Sequence, residues 1–374
     1  MNKTHQIRLY LTNSKSQWSS PYRSVVGIYS SIGVYYLVVL LSCGNIYIYI
    51  EIMMNVIDLF SGLGGFSYAL HNKIRTIAYC DISNICRETL KSVMNKGLID
   101  SAPIFDDVRT LSADSFEEVP NMITGGFPCQ DISLANPNGK GLDGDRSSLF
   151  FEIIRLCDEI PSINHVFLEN VSQILKGGMI ERVYESFISR GFYVSHVIVS
   201  ARNTGAPHTR KRCYIMATRN MEELSNIRLE WSNTWTGNGP PTMARIENTD
   251  TDKYFKRRCC MSGNSVVPAC VSMAYNFLVH GEQLVDLGKP VNIVMQDGET
   301  RLTRPRWGTP YASFHLYSRY KLGSVRSGGV LINQVWYNPE NIDKRDGNWS
   351  INPVFVEWLM GYPEGYTQYN IDNV

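Results

Sequence analysis

Short apolar runs alternate with polar breaks through the middle of the chain, each of strand length and each followed closely by glycine or an acid. The first, Val56 to Phe60, predicts a strand that runs into the turn Ser61-Gly62-Leu63-Gly64-Gly65 and then into an amphipathic stretch from Phe66 to Leu70. Thr76 to Cys80 and Ala102 to Phe105 are two further runs, with Asp81 and Asp107 just beyond their ends. Asn121 to Thr124 predicts another strand, and Gly125-Gly126-Phe127-Pro128-Cys129-Gln130 lies at its mouth. Val166 to Val171 predicts a strand that ends in polar groups, Glu169 and Asn170. A basic loop, His208-Thr209-Arg210-Lys211-Arg212, then enters a strand reaching Ala217. After Gly263-Asn264-Ser265-Val266-Val267-Pro268, apolar positions at Val267, Cys270, Val271, Ala274, Phe277 and Leu278 carry helical spacing.

Residues 1–52 have a different pattern. From Val25 to Ile50 no side chain is charged, a length that by hydropathy alone could cross a bilayer. Serine, glycine and tyrosine interrupt the run, and the periodic part of the chain starts directly after Met53-Met54. Translation of sequence upstream of the true start is the simpler expectation than a membrane anchor or signal segment.

Composition changes this picture little. A chain of 374 residues with 44% hydrophobic content can bury a substantial core and hold two domains. Its nine cysteines show no C-x-x-C spacing and several fall in apolar runs, so a reducing, intracellular setting is expected, without a structural metal or a disulfide framework. A net charge of +1 says nothing about nucleic acid, but local basic clusters do. They lie at Arg210 to Arg212, at Lys253 to Arg258, and from Arg301 to Arg326, where six basic residues interleave with aromatic ones and no acid occurs.

The candidate chemistry centres on Cys129. A cysteine in a tight turn is commonly just a small buried residue. Its surroundings point elsewhere: a glycine turn that lets backbone approach a ligand, then acids at successive strand ends, which describe a nucleoside pocket. The turn lacks the G-x-G-x-x-G spacing of dinucleotide folds, and a dehydrogenase reading explains none of the later blocks.

Phe60-Ser61-Gly62-Leu63-Gly64-Gly65, Pro128-Cys129-Gln130, Glu169-Asn170-Val171 and Gly263-Asn264-Ser265-Val266-Val267-Pro268, in this order, resemble the signature blocks of the C5-cytosine DNA methyltransferase family, of restriction-modification or phage type. The resemblance covers residues 54–217 and 262 to about 284. It implies an α/β, Rossmann-like S-adenosylmethionine-dependent methyltransferase fold with a mostly parallel sheet, plus a smaller irregular target-recognition domain. It also implies S-adenosyl-L-methionine as methyl donor and double-stranded DNA as partner, with the protein acting as a monomer. By the same resemblance Cys129 attacks C6 of a flipped-out cytosine, Glu169 supplies a proton or hydrogen bond at N3, and Asn170 holds the surrounding loop. Glu169 is then expected to be protonated or to share a proton. Arg212, with Arg210, contacts the base and its phosphate, and Gln130 and Ser133 close over the flipped base. Phe60, Gly62 and Gly64 line the methionine end of the donor, Asp81 its ribose, and Asp107 with Val108 its adenine. Asn264, Ser265 and Val266 close that pocket, and Asp58, Ile82 and Pro128 complete the set. A tRNA cytosine methyltransferase, which shares such a core, is the alternative, and a DNA-binding relative without catalysis is disfavoured because Cys129, Glu169 and Arg212 are all present.

Two departures stand out. The family usually has Gln-x-Arg-x-Arg in the basic loop, where this chain has His208 before Arg210 and Arg212. The variable region before the Gly263 block, residues 218–261, is short and suggests a loop-rich insertion with few strands. The block expected there instead resembles Phe355-Val356-Glu357-Trp358-Leu359-Met360-Gly361-Tyr362-Pro363 near the end. The expected division is therefore residues 1–52 as an apolar extension, 53–217 as the catalytic and donor domain, 218–261 as the insertion, 262–285 returning to the catalytic domain, and 286–374 as the C-terminal part of the target-recognition domain. Removing residues 286–374 is then expected to abolish sequence-specific methylation while donor binding persists if the remaining core folds.

Overall fold

The computed structural model describes residues 8–11, 23–30, 33–42, 45–128, 149–230, 235, 245–247, 255–282, 284, 291–294, 300–303 and 349–368. Four strands come first, β1 (Arg8–Leu11), β2 (Arg23–Ser30), β3 (Gly33–Ser42) and β4 (Asn45–Met53), paired antiparallel in chain order as a sheet of their own. The uncharged run is therefore divided among three strands. Its tyrosines and β-branched residues favour extended backbone, and among the described residues no helix is long and apolar enough to cross a membrane.

The second sheet begins one residue later. Its strands are β5 (Asn55–Leu59), β6 (Arg75–Cys80), β7 (Ile104–Phe105), β8 (Met122–Gly125), β9 (His165–Val171), β10 (Tyr193–Ser200) and β11 (Lys211–Thr218), in the spatial order β7-β6-β5-β8-β9-β11-β10. The pairs among β5 to β9 are parallel, whereas β11 lies antiparallel between β9 and β10. Strand order reverses between β5 and β8, and in open α/β sheets the crevice beyond the carboxyl ends of the strands at such a point receives the ligand.

Period-two burial explains why the sheet is covered on both faces. On β9, Phe167 joins one core while Val166 and Leu168 join the other, and β5 and β8 divide Val56 and Met122 from Ile57 and Ile123 in the same way. The first core is roofed by α1 (Gly65–Leu70), α2 (Asn84–Asn95) and α7 (Pro268–His280); the second by α3 (Phe150–Glu159) and α4 (Met179–Ile188). Helix α7, started by Pro268 at its first turn and stopped by Gly281 in the left-handed conformation, is buried all round from Ala269 to Asn276.

Two expected boundaries shift. Helix α6 (Phe255–Asn264) runs unbroken across the division set at 261/262, so the insertion and the Gly263 block share one element. The insertion also contains α5 (Met221–Ser225) and β12 (Arg245–Glu247), which pairs with β15 (Trp349–Ile351), while β13 (Val291–Val294) and β14 (Thr300–Thr303) form a hairpin. Helix α8 (Pro353–Leu359) and the turn after it belong to the catalytic core, because Phe355, Val356, Leu359, Met360, Tyr362 and Tyr366 pack into the first core with Phe66 and Val266. Residues 352–368 thus pack with the first core. Most of Arg301–Arg326 lies outside the described residues.

Candidate active site

The turn after β5 takes a shape that few sequences allow. Gly62 and Gly64 have φ of 54° and 73°, and Phe60 itself sits at φ 54°, where a bulky side chain is seldom found. Side chains from neighbouring strands hold it. Asp81, just past β6, accepts from Gly62 N through Oδ2 and from Ser83 N through Oδ1, each at 2.8 Å. Burial raises the Asp81 carboxyl above the ordinary range, against the pull of those two amides. Behind the turn, a Cβ on Gly65 would collide with the Tyr362 hydroxyl and a Val266 methyl, so only glycine fits.

A cavity of about 660 Å³ opens over this turn at the point where strand order reverses. One end is lined by Phe60, Gly62, Asp81, Ile82, Asp107 and Val108. Ile82 is 73% exposed, an apolar side chain presented to the opening. Asp107 caps the turn that follows, accepting from Arg109 N at 3.0 Å and forming a two-pronged pair with the Arg109 guanidinium, which holds its carboxyl below the usual range. Asn264, Ser265 and Val266 form one wall. Two expected donor contacts are elsewhere. Asp58 is 1% exposed between β5 and β8, where Thr124 Oγ1 donates to it at 2.8 Å, and Gly64 faces Leu90 and Ile99 of the core.

Pro128, Glu169, Asn170 and Arg212 line the other end. Antiparallel register explains their meeting. Arg212 on β11 stands opposite Val171 on β9, which puts Glu169, two residues back, on the same face as its diagonal neighbour. Arg212 Nε lies 2.8 Å from Glu169 Oε1, although Glu169 Oε1 has no well-aligned hydrogen bond, so this is an ion pair. On the opposite face Asn170 donates from Nδ2 to the Phe127 carbonyl at 3.2 Å and accepts from Val171 N, tying the end of β9 to the loop that leads to Cys129. Cys129, Gln130 and Ser133 themselves lie outside the described residues; Pro128, the residue before Cys129 in the chain, is on the cavity wall.

Arg210 departs from expectation. It is 4% exposed, and its guanidinium donates to the carbonyls of Gly263 at 2.7 Å and Ser265 at 2.9 Å, with Asn264 at 3.5 Å. Burial, aided by Arg212 nearby, pushes its pKa down to about 10. Although it borders the cavity, its charge is committed to the Asn264 wall rather than held out for a base or phosphate. His208, the departure from the family pattern, is fully buried and links Arg210 N to the carbonyl of Leu359. Sequence reasoning missed Cys86, Leu149 and Met261 on the walls, and nothing in their local pattern marks them.

A seven-stranded, mostly parallel sheet with its antiparallel strand inserted next to one edge, and a cleft at the switch point, is the Rossmann-like fold that the sequence resemblance implied. The family model described as C-5 cytosine-specific DNA methylase matches residues 54–272, and the chain belongs to that family. It is 29% identical over 230 residues to Type II methyltransferase M.CviJI of Paramecium bursaria Chlorella virus IL3A, covering 60% of this chain and 59% of that protein. Against Type II methyltransferase M.HhaI of Haemophilus parahaemolyticus the identity is 28% over 178 residues, 46% of this chain and 52% of the other. The chain thus spans between about half and three fifths of these relatives' length. Among solved structures, Entamoeba histolytica methyltransferase EhMeth aligns at 20% identity and a TM-score of 0.38, over 51% of this chain and 65% of that one.

Proposed function

We propose that this protein methylates C5 of cytosine in duplex DNA, with S-adenosyl-L-methionine bound over the glycine turn and the target base at the Glu169 end of the same cavity. The observation that supports this is the single cavity itself: nucleoside-type acids at one end, and at the other a carboxylate, a guanidinium and the loop entering Cys129.

The residues present fit the donor. The left-handed turn leaves its backbone open to close approach, Asp81 and Asp107 offer carboxylates beside it, and Ile82 gives an apolar surface for a flat ring. When bound, S-adenosyl-L-methionine supplies an electrophilic methyl group on a sulfonium.

Cytosine C5 is too weak a nucleophile until sulfur adds at C6. Cys129, one residue past the described wall, is the group for that step, as a thiolate. Electron density then moves toward N3, the atom assigned to the Glu169 side chain, which the Arg212 ion pair holds at the cavity wall. Asn170 fixes the chain two residues before Cys129 through the Phe127 carbonyl. A duplex hides this face of the base, so the cytosine must leave the stack to enter.

Tritiated donor offered with unmethylated duplex DNA and with tRNA in parallel tests the reading, and bisulfite sequencing of the DNA reports the target. Label in duplex cytosine is expected, and Cys129→Ser should lose it by well over about tenfold because an alcohol is a far poorer nucleophile. Label confined to tRNA, or a serine variant within about tenfold of wild type, overturns the substrate or the nucleophile respectively.

A further inference from the structure

We propose that the C-terminal segment 352–368 sets the geometry of the site at both ends of the cavity, with Tyr366 positioning the donor loop and His208 passing the position of α8 to the basic loop that leads into β11 and Arg212. The proposal rests on the donor and base assignment above and adds positioning residues to it.

The segment is rigid in its own right. Asn352 caps α8, and the buried Glu357 carboxylate accepts from Gly365 N at 2.8 Å, Thr367 N at 2.9 Å and Arg258 Nη2 at 3.1 Å. Folded back in this way, the turn presents two tyrosines in contact, their rings tilted by 37° with centroids 4.5 Å apart, both against Tyr68 of α1. Each hydroxyl is buried and donates to a main-chain carbonyl on a different wall. Tyr366 reaches Leu63 O at 2.9 Å, and Tyr362 reaches Val266 O at 3.0 Å.

Leu63 stands between Gly62 and Gly64, both in the left-handed region, so the turn has little intrinsic preference for its own shape. Asp81 ties its amide side and Tyr366 ties its carbonyl side. The second tie comes from 303 positions further along the chain.

The other arm runs through His208. A carbonyl can only accept, so Nε2 carries the proton that goes to Leu359 O at 2.9 Å, and Nδ1 is left to accept from Arg210 N at 3.3 Å. The imidazole is thus a neutral bridge from the last residue of α8 to the backbone two residues before Arg212. Burial keeps it neutral by pushing its pKa down to about 3.

Because the two arms end at different subsites, their loss should separate binding from turnover. Tyr366→Phe keeps the ring and removes one hydrogen bond. Titration calorimetry should show the dissociation constant for S-adenosyl-L-methionine raised by about fivefold or more, with kcat at saturating donor on unmethylated duplex DNA within about twofold. His208→Leu should do the reverse, lowering kcat by about tenfold or more while donor affinity stays within about twofold. His208→Gln, whose amide offers an acceptor and a donor at similar separation, should restore kcat to within about threefold of wild type. A purely structural weakening would lower the melting temperature without this split. A donor dissociation constant within about twofold of wild type in Tyr366→Phe overturns the proposal, as does a His208→Leu protein with kcat within about threefold. If His208→Leu does not fold, His208→Gln decides alone, and a loss of about tenfold in kcat overturns it. Wild-type protein that binds no S-adenosyl-L-methionine removes the donor reading and the clamp together, whereas normal wild-type binding with an unchanged Tyr366→Phe removes the clamp only.

Discussion

Arg210 and Arg212 stand two residues apart and do different work. Arg210 spends its guanidinium on the carbonyls of Gly263 and Ser265, whereas Arg212 faces Glu169 in the cavity. Arg210→Ala should therefore cost about 2–3 kcal/mol in urea denaturation, because buried carbonyls lose a charged donor. Arg212→Ala should leave the unfolding midpoint nearly unchanged and lower kcat by about a hundredfold. Asp58 makes a different prediction. Burial pushes its carboxyl up to about 8, so between pH of about 4 and about 8 the folded protein holds a proton that the unfolded chain has released. Stability should fall as pH rises through that window, by at most about 1.4 kcal/mol per pH unit from this group. Thermal melts at pH 5 and pH 8 should show Asp58→Asn gaining on wild type at the higher value, and parallel behaviour would remove Asp58 as the source. The motif pattern alone showed which stretches border the cavity, since Phe60, Gly62, Asp81, Glu169 and Arg212 all do. It could not show that Asp58 and Arg210 turn away from solvent, because burial depends on what packs against them from distant parts of the chain.

Elements were legible where their period was strong and unopposed. The β9 run and the glycine turn are where apolar spacing places them, and the helical pattern after Pro268 is α7. Edge strand β10, with mixed burial from Tyr193 to Ser200, gave no such signal, and β7 shrinks to Ile104–Phe105. The run from Val25 to Ile50 shows the converse failure: hydropathy ignores β-branching and tyrosine alternation, which divide it into hairpins. Helix α8 was recognisable as a block but not as part of this core, since its anchor is the Glu357 network with Arg258 and Thr367. Glu357→Gln should lower stability by about 3 kcal/mol, as the buried guanidinium loses its carboxylate. Hydrogen exchange at the Gly365 and Thr367 amides should rise with it; protection equal to wild type would mean that the network does not hold the turn.

At the scale of the whole molecule, the doubly wound topology follows from alternating strands and helices, and the resemblance anticipated it well. A protein ending at residue 285 lacks Tyr362, Tyr366 and α8, so apolar side chains of α1 and α7 lose their cover. Such a truncation should be insoluble or bind no S-adenosyl-L-methionine, in place of the persistent donor binding expected from sequence, and calorimetry on any soluble fraction checks it. A chain starting at Met54 keeps the whole seven-stranded sheet, and its melting temperature should lie within about 2–4 °C of the full chain.

The bond from Tyr366 to Leu63 has a consequence for synthesis. A ribosome delivers the glycine turn early, but the residue that completes it leaves the exit tunnel only after some three hundred further peptide bonds. Until then Leu63 lacks its partner, and a nascent or prematurely stopped chain carries an unfinished donor cradle. Only a polypeptide read through to residue 366 can close the cradle, so truncated products of the message should bind S-adenosyl-L-methionine more weakly than the full chain.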